Sequence, residues 1–105
     1  MCSYLYTGVI TSNRPFSLAA KMIIDNYLRS WLNMSWYLNT TNTQIIFKDY
    51  NDKYLKYSLE EMLKNFYELD YIMNGEIKFT APQSAGKIII KNNKMIFTKI
   101  KEKKT

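Results

Sequence analysis

Histidine is absent from the sequence, which removes the commonest general base and the commonest metal ligand. The single cysteine, Cys2, can close no internal disulfide and can build no zinc site. It lacks a histidine partner or a helix-terminal setting to lower its pKa, so it reads as a strand-packing residue in a reducing compartment. Glycine occurs only at positions 8, 75 and 86, too scattered for a loop that cradles phosphate. With three glycines and two prolines, most of the chain is expected to be ordered. Arginine is nearly missing too. Arg14 and Arg29 are the only two, which argues against bidentate reading of bases. No apolar run approaches the ~20 residues of a membrane span, and the start lacks a basic-then-apolar export layout, so the expectation is a cytoplasmic protein without membrane contact. For the same reason the sequons at Asn33 and Asn39 have no chemistry to report.

What remains is 105 residues, 47% hydrophobic and 23% charged, enough for one core. The formal net charge of +6 is unevenly placed. Residues 1–47 carry three basic side chains against Asp25, and residues 48–74 carry four lysines against six carboxylates. Residues 75–105 hold eight lysines against Glu76 and Glu102, so the excess lies in the last third. The Asn, Lys and Ile bias suits an AT-rich genome, such as that of a phage or mobile element.

Residues 3–10, rich in Tyr, Leu, Val and Ile and ending at Thr11-Ser12-Asn13, predict a strand. Tyr4, Tyr6 and Ile10 fall on one side and Leu5 and Val9 on the other, the pattern of a central strand covered on both faces. Pro15 and Ser17 then start an amphipathic helix whose apolar positions run to about Leu32. Residues 35–38 and 44–48 predict a hairpin around the turn-rich 39–43. Residues 53–57 fit either a short strand or a lead into the next helix. Ser58-Leu59-Glu60-Glu61 matches a capping box, and Leu59, Met62, Leu63, Phe66 and Leu69 follow at helical spacing. After Asp70 the period becomes two. Asn74-Gly75, 82–86 and Asn92-Asn93 read as turns between strands at 71–73, 76–80, 87–91 and 94–100.

The fold class that results is α+β, with two amphipathic helices on one face of a mostly antiparallel sheet: strand, helix and hairpin, then helix and meander. Residues 1–100 form one domain and residues 101–105 a basic flexible tail. Residues 3–48 and 53–91 can each be written as strand, helix and hairpin, but their side chains do not match beyond generic patterning. No stretch carries a motif specific to one family.

Two carboxylate pairs could in principle do acid–base work or hold a cation. Asp49 and Asp52 bracket a turn, where such side chains cap their own backbone, while Glu60 and Glu61 fit the first turn of a helix. No catalytic residue, metal or cofactor is expected, and no enzyme. Aromatic residues make up 15% of the chain, with nine tyrosines. Tyr27, Trp31 and Phe66 sit at helical core positions. Trp36 and Tyr37 are neighbours and must point to opposite faces of a strand. Tyr50, Tyr54 and Tyr57 lie among Lys48, Lys53 and Lys56. Those five rings, Trp36, Tyr37, Tyr50, Tyr54 and Tyr57, are the candidate contacts for a protein partner.

The lysine-rich third offers an alternative set, Lys78, Lys87, Lys91, Lys94, Lys99 and Lys101, for a nucleic-acid backbone. Alternation places lysines on both faces of the 87–100 hairpin, which weakens a single phosphate-tracking face, and lysines also guard sheet edges. The reading is a small non-enzymatic protein-binding module, an inhibitor or adaptor. Its alternative is a nucleic-acid-binding protein using that hairpin and aromatic stacking, and a homodimer is compatible with either.

Overall fold

The computed structural model describes residues 4–28 and 35–102, with side chains as far as Thr98 in the last strand. The elements are β1 (Leu5–Ser12), α1 (Leu18–Tyr27), β2 (Trp36–Leu38), β3 (Gln44–Asn51), α2 (Leu55–Glu68), β4 (Met73–Ala81), β5 (Ser84–Lys91) and β6 (Lys94–Glu102). They form one six-stranded antiparallel sheet in the order β2-β3-β1-β4-β5-β6. The two helices pack on one face, as the amphipathic patterns require. β1-α1-β2 and β3-α2-β4 make two interlocked units in the split β-α-β-β-α-β order, and β5 and β6 extend that sheet as a meander.

The core lies between the helices and one sheet face. Tyr6, Ile10, Ile45, Phe47, Ile77 and Ile88 point into it from the strands, and Ala20, Ile24, Leu59, Met62 and Phe66 close it from above. β1 is central, paired to β3 on one side and β4 on the other. It is nevertheless covered on one face only, contrary to the two-faced expectation. Leu5 and Val9 stay half-exposed because both crossovers place their helices on the same side.

Local chemistry explains where the helices begin and end. Ser17 caps α1 as expected, its hydroxyl accepting from the Ala20 amide at 3.2 Å. That helix stops at Tyr27, where Leu28 turns extended, earlier than the apolar spacing implies. Trp31 and Leu32 lie outside the described residues. α2 starts a turn before the anticipated capping box. The Asp52 carboxylate accepts from the Tyr54 amide at 2.9 Å and its carbonyl accepts from the Leu55 amide at 3.2 Å. Leu55 is fully buried, which favours the early start, and residues 53–57 therefore belong to the helix and its lead-in. Ser58 is thus an interior helical residue whose amide donates to the Tyr54 carbonyl.

At its other end, α2 closes in a Schellman motif. Asp70 adopts φ 63°, Tyr71 donates its amide to the Phe66 carbonyl at 2.9 Å, and Asp70 donates to the Tyr67 carbonyl at 3.0 Å. The Phe66 and Tyr71 rings meet edge to face at 5.6 Å.

Asn74-Gly75 does not turn. Both residues lie inside β4, which runs unbroken through what looked like two strands. The glycine serves close approach instead of reversal: a Cβ at Gly75 would run into the Val9 carbonyl, and one at Gly8 into that of Glu76. Asn92-Asn93 is a true turn, both residues with positive φ (49° and 67°), as a two-residue hairpin demands. β6 continues to Glu102, beyond the expected end at Ile100, and residues 103–105 lie outside the description.

Candidate partner-binding surface

Strand side chains alternate, so every inward core residue implies an outward neighbour. Both helices sit on the same face, and no described residue covers the opposite face of the sheet, which is open. Registers align its residues into rows. One row crosses all six strands: Tyr37, Ile46, Val9, Glu76, Ile89 and Ile96. Five of the six are apolar. Tyr37 is 48% exposed and Ile96 51%, while Ile46, Val9 and Ile89 between them are half-buried by their neighbours.

Basic residues flank the row. Lys78 on β4 stands directly opposite Lys87 on β5, and Lys91 on β5 directly opposite Lys94 on β6. Lys48 projects to the same side from β3, next to the buried, inward Phe47. The Glu76 carboxylate reaches the Lys87 ammonium at 3.6 Å. Beside Lys48 the strand bulges at Asp49, whose φ is 52°. There Thr7 donates its hydroxyl to the Asp49 carboxylate at 3.2 Å and accepts the Asp49 amide at 3.0 Å. Among the described residues the open face thus carries five lysines against two carboxylates.

The five aromatic candidates do not share one surface. Trp36 and Tyr37 split as adjacent strand residues must, but Trp36 is the inward one. It is buried at 8% exposure, and its indole N–H meets no acceptor among the described residues. Tyr50 is also buried; its ring packs on Phe47 at 5.5 Å and its hydroxyl donates to Asp52 at 3.3 Å. Both are core residues and offer no contact surface, because they sit at inward positions of β2 and β3. Tyr54 and Tyr57 are exposed, but in the helix layer. Tyr37 alone of the five reaches the open face.

The lysines converge better than alternation within the hairpin implied. Lys78, Lys87, Lys91 and Lys94 all occupy the open face, since Lys87 pairs with Thr98 and Lys91 with Lys94 across the hairpin. Lys99 is in register with Gly86 and Lys101 with Ala85; their side chains lie outside the description.

Two concavities lie in the helix layer. A groove of about 760 Å³ runs between α2 and β6, lined by Tyr57, Leu63, Tyr67, Met95 and Phe97 among others. A smaller polar cleft of about 360 Å³ between α1 and α2 is lined by Asp25, Tyr27, Asp52 and Tyr54. Asp52 faces this cleft while Asp49 is bound to Thr7 across the sheet, so the two carboxylates do not combine. Among the described residues, no group of three acidic, Cys or His side chains could hold a metal ion. No described helix is long and apolar enough to cross a membrane.

No family model, curated protein or solved structure matches the chain.

Its surfaces must therefore be judged on chemistry alone, and among the described residues the open sheet face joins apolar area to a net positive charge. Sequence reading missed Val9, Ile46, Ile89 and Ile96 as a unit. Each strand carries the right alternation, but only the register brings the four together.

Proposed function

We propose that this is a small, non-enzymatic protein-binding module, an inhibitor or adaptor, whose contact surface is the open face of the sheet. The row from Tyr37 to Ile96 carries the reading. Partly exposed apolar residues bordered by polar ones are the usual makings of a protein interface, and the row spans the sheet's full width with Glu76 as its polar member. Support for a non-enzymatic role comes from the separation of Asp49, held by Thr7 on the open face, from Asp52 in the cleft of the helix layer.

A second reading, nucleic-acid binding, draws on Lys78, Lys87, Lys91 and Lys94 sharing that face. Against it stands the chemistry of the row, four aliphatic side chains and one ring, because sequence-independent single-strand binding relies on aromatic platforms.

The test compares Tyr37→Ala/Ile96→Ala with Tyr67→Ala, which alters an equally exposed residue of the helix layer. Each is used for affinity purification from native-host extract treated with nuclease. A discrete protein should accompany the wild type and Tyr67→Ala and be lost from the row variant, with all three melting alike. Equal recovery by the row variant would overturn the assignment of the surface, and a partner that vanishes with nuclease would favour the second reading.

A further inference from the structure

We infer that the partner's surface is acidic, with carboxylates placed to sit against two lysine–lysine pairs on the open face; this rests on the reading of that face as a protein-binding surface. The pairs are the observation. Lys78 lies directly across from Lys87, and Lys91 directly across from Lys94. Like charges at directly opposed positions of an antiparallel pair destabilise it, whereas opposite charges there stabilise it. The free protein therefore carries two unfavourable juxtapositions on one surface, with Ile89 between them.

Their own neighbours relieve them only in part. Among the described residues the ion pairs are Lys64 with Glu61 on α2 and Lys87 with Glu76 on the open face. Lys48, Lys78, Lys91 and Lys94 have no carboxylate within salt-bridge distance among those residues. The helix side is different. Among the described residues, Arg14, Lys21, Lys53, Lys56 and Lys64 there stand against Asp25, Asp52, Glu60, Glu61, Glu68 and Asp70. The charge asymmetry belongs to the sheet face.

Edge protection accounts for little of this. Lysine on an outer strand blunts pairing with other chains, which suits Lys94 on β6. Lys78 and Lys87 sit on β4 and β5, interior strands with neighbours on both sides. They guard no edge.

The spacing describes the complementary surface. Lys87 and Lys91 are four residues apart on one strand, about 13–14 Å at the usual rise, with Ile89 of the apolar row between them. A matching partner has acidic groups on two lines about that far apart and an apolar ridge to cover Ile89 and Ile96. Phosphate is the poorer match. The open face presents no arginine among the described residues, since Arg14 is committed to the Tyr71 ring at 3.8 Å, and the row offers a single ring for bases.

The test uses the full chain and labelled probes: a peptide alternating Glu and Leu, its Gln and Leu counterpart, and oligo(dT). Fluorescence anisotropy at low salt should show the acidic peptide binding at least tenfold tighter than the neutral one and tighter than oligo(dT). Lys78→Gln/Lys91→Gln should weaken that binding about tenfold and flatten its salt dependence, yet melt at or above the wild-type temperature because each substitution removes a repulsion. Lys56→Gln/Lys64→Gln on the helix side should leave binding unchanged. Equal affinity for the two peptides, or no effect of Lys78→Gln/Lys91→Gln, overturns the inference, and tighter binding of oligo(dT) overturns it in favour of nucleic acid. If the partner recovered by affinity purification depends on Tyr37 and Ile96 but not on these lysines, only the acidic partner is refuted. If it depends on neither, the binding surface itself is wrong.

Discussion

Replacing Tyr71 with Phe isolates the tie between the end of α2 and the start of α1. The ring is 1% exposed and packs against Phe66 at 5.6 Å and Phe16 at 5.8 Å, with the Arg14 guanidinium 3.8 Å from its centroid. Its hydroxyl accepts the Ser17 amide at 2.9 Å and donates to the Pro15 carbonyl at 3.3 Å, so it holds the residues that cap α1. Phenylalanine keeps the ring packing, the Arg14 contact and nearly all the volume, and removes only the hydroxyl. The loss is a hydrogen-bonded pair and an amide left without its acceptor, about 1–2 kcal/mol for a partly buried site. For a domain of this size that lowers Tm by roughly 5–10 °C. Urea unfolding followed by circular dichroism should show the midpoint falling with an unchanged m-value. A loss below about 0.5 kcal/mol would mean that water replaces the hydroxyl without cost and that the tie contributes nothing to stability.

Three further outcomes follow from the same coordinates. Burial above all, with the nearby Asp52 charge and Tyr4, pushes the Tyr6 hydroxyl up to about 12. The folded state then resists ionisation that the unfolded chain accepts, so Tyr6 takes away stability as pH rises from 10 towards 12. At Tyr71, burial pushes the hydroxyl up, but the Ser17 hydrogen bonds and the Arg14 charge outweigh it and hold the group below its ordinary value, which gives the opposite sign. Alkaline unfolding of Tyr6→Phe should accordingly be flatter than wild type and that of Tyr71→Phe steeper; identical curves would refute both assignments. Ser58→Ala should change stability by less than about 0.5 kcal/mol, whereas Asp52→Ala should cost about 1 kcal/mol, since the Asp52 carboxylate accepts the Tyr54 amide and the Tyr50 hydroxyl just ahead of α2. The reverse ranking in denaturant titrations would restore the capping box. Gly75→Ala should cost about 3 kcal/mol, the upper range for overpacking, because its Cβ meets the backbone of β1. A near-neutral result would show that the β1–β4 contact can open.

The fold class was legible because it rests on periods. Leu59, Met62, Leu63 and Phe66 recur at helical spacing, and the short apolar runs Ile88 to Ile90 and Met95 to Phe97 flank the Asn92-Asn93 turn. Punctuation was less reliable. Asn74-Gly75 has the composition of a turn, and only the proximity of Val9, sixty-six positions earlier in the chain, shows why glycine is needed within a strand. Ser58 to Glu61 satisfies a local rule, but the burial of Leu55 and the carboxylate of Asp52 favour a helix one turn longer. The aromatic candidates failed as a group for a related reason. Clustering in sequence says nothing of layer, so Tyr50 went to the core and Tyr54 and Tyr57 to the helices. Lys78, Lys87, Lys91 and Lys94 share one face, and that depends on the pairing of Lys91 with Lys94, which the hairpin turn sets.

The strand order also dictates a schedule. β1 pairs with β3 and β4, so Leu5 must meet Asn51 and Thr80, whereas β4, β5 and β6 join only through adjacent tight turns. Closing the first pairings means closing long loops, the slow part of folding, while the last two hairpins need almost no search. On the ribosome, β1 emerges first and stays without one of its two neighbours until residue 81 has been made. This central strand is made before both strands it pairs with and waits longer for its second neighbour than any other strand of the sheet.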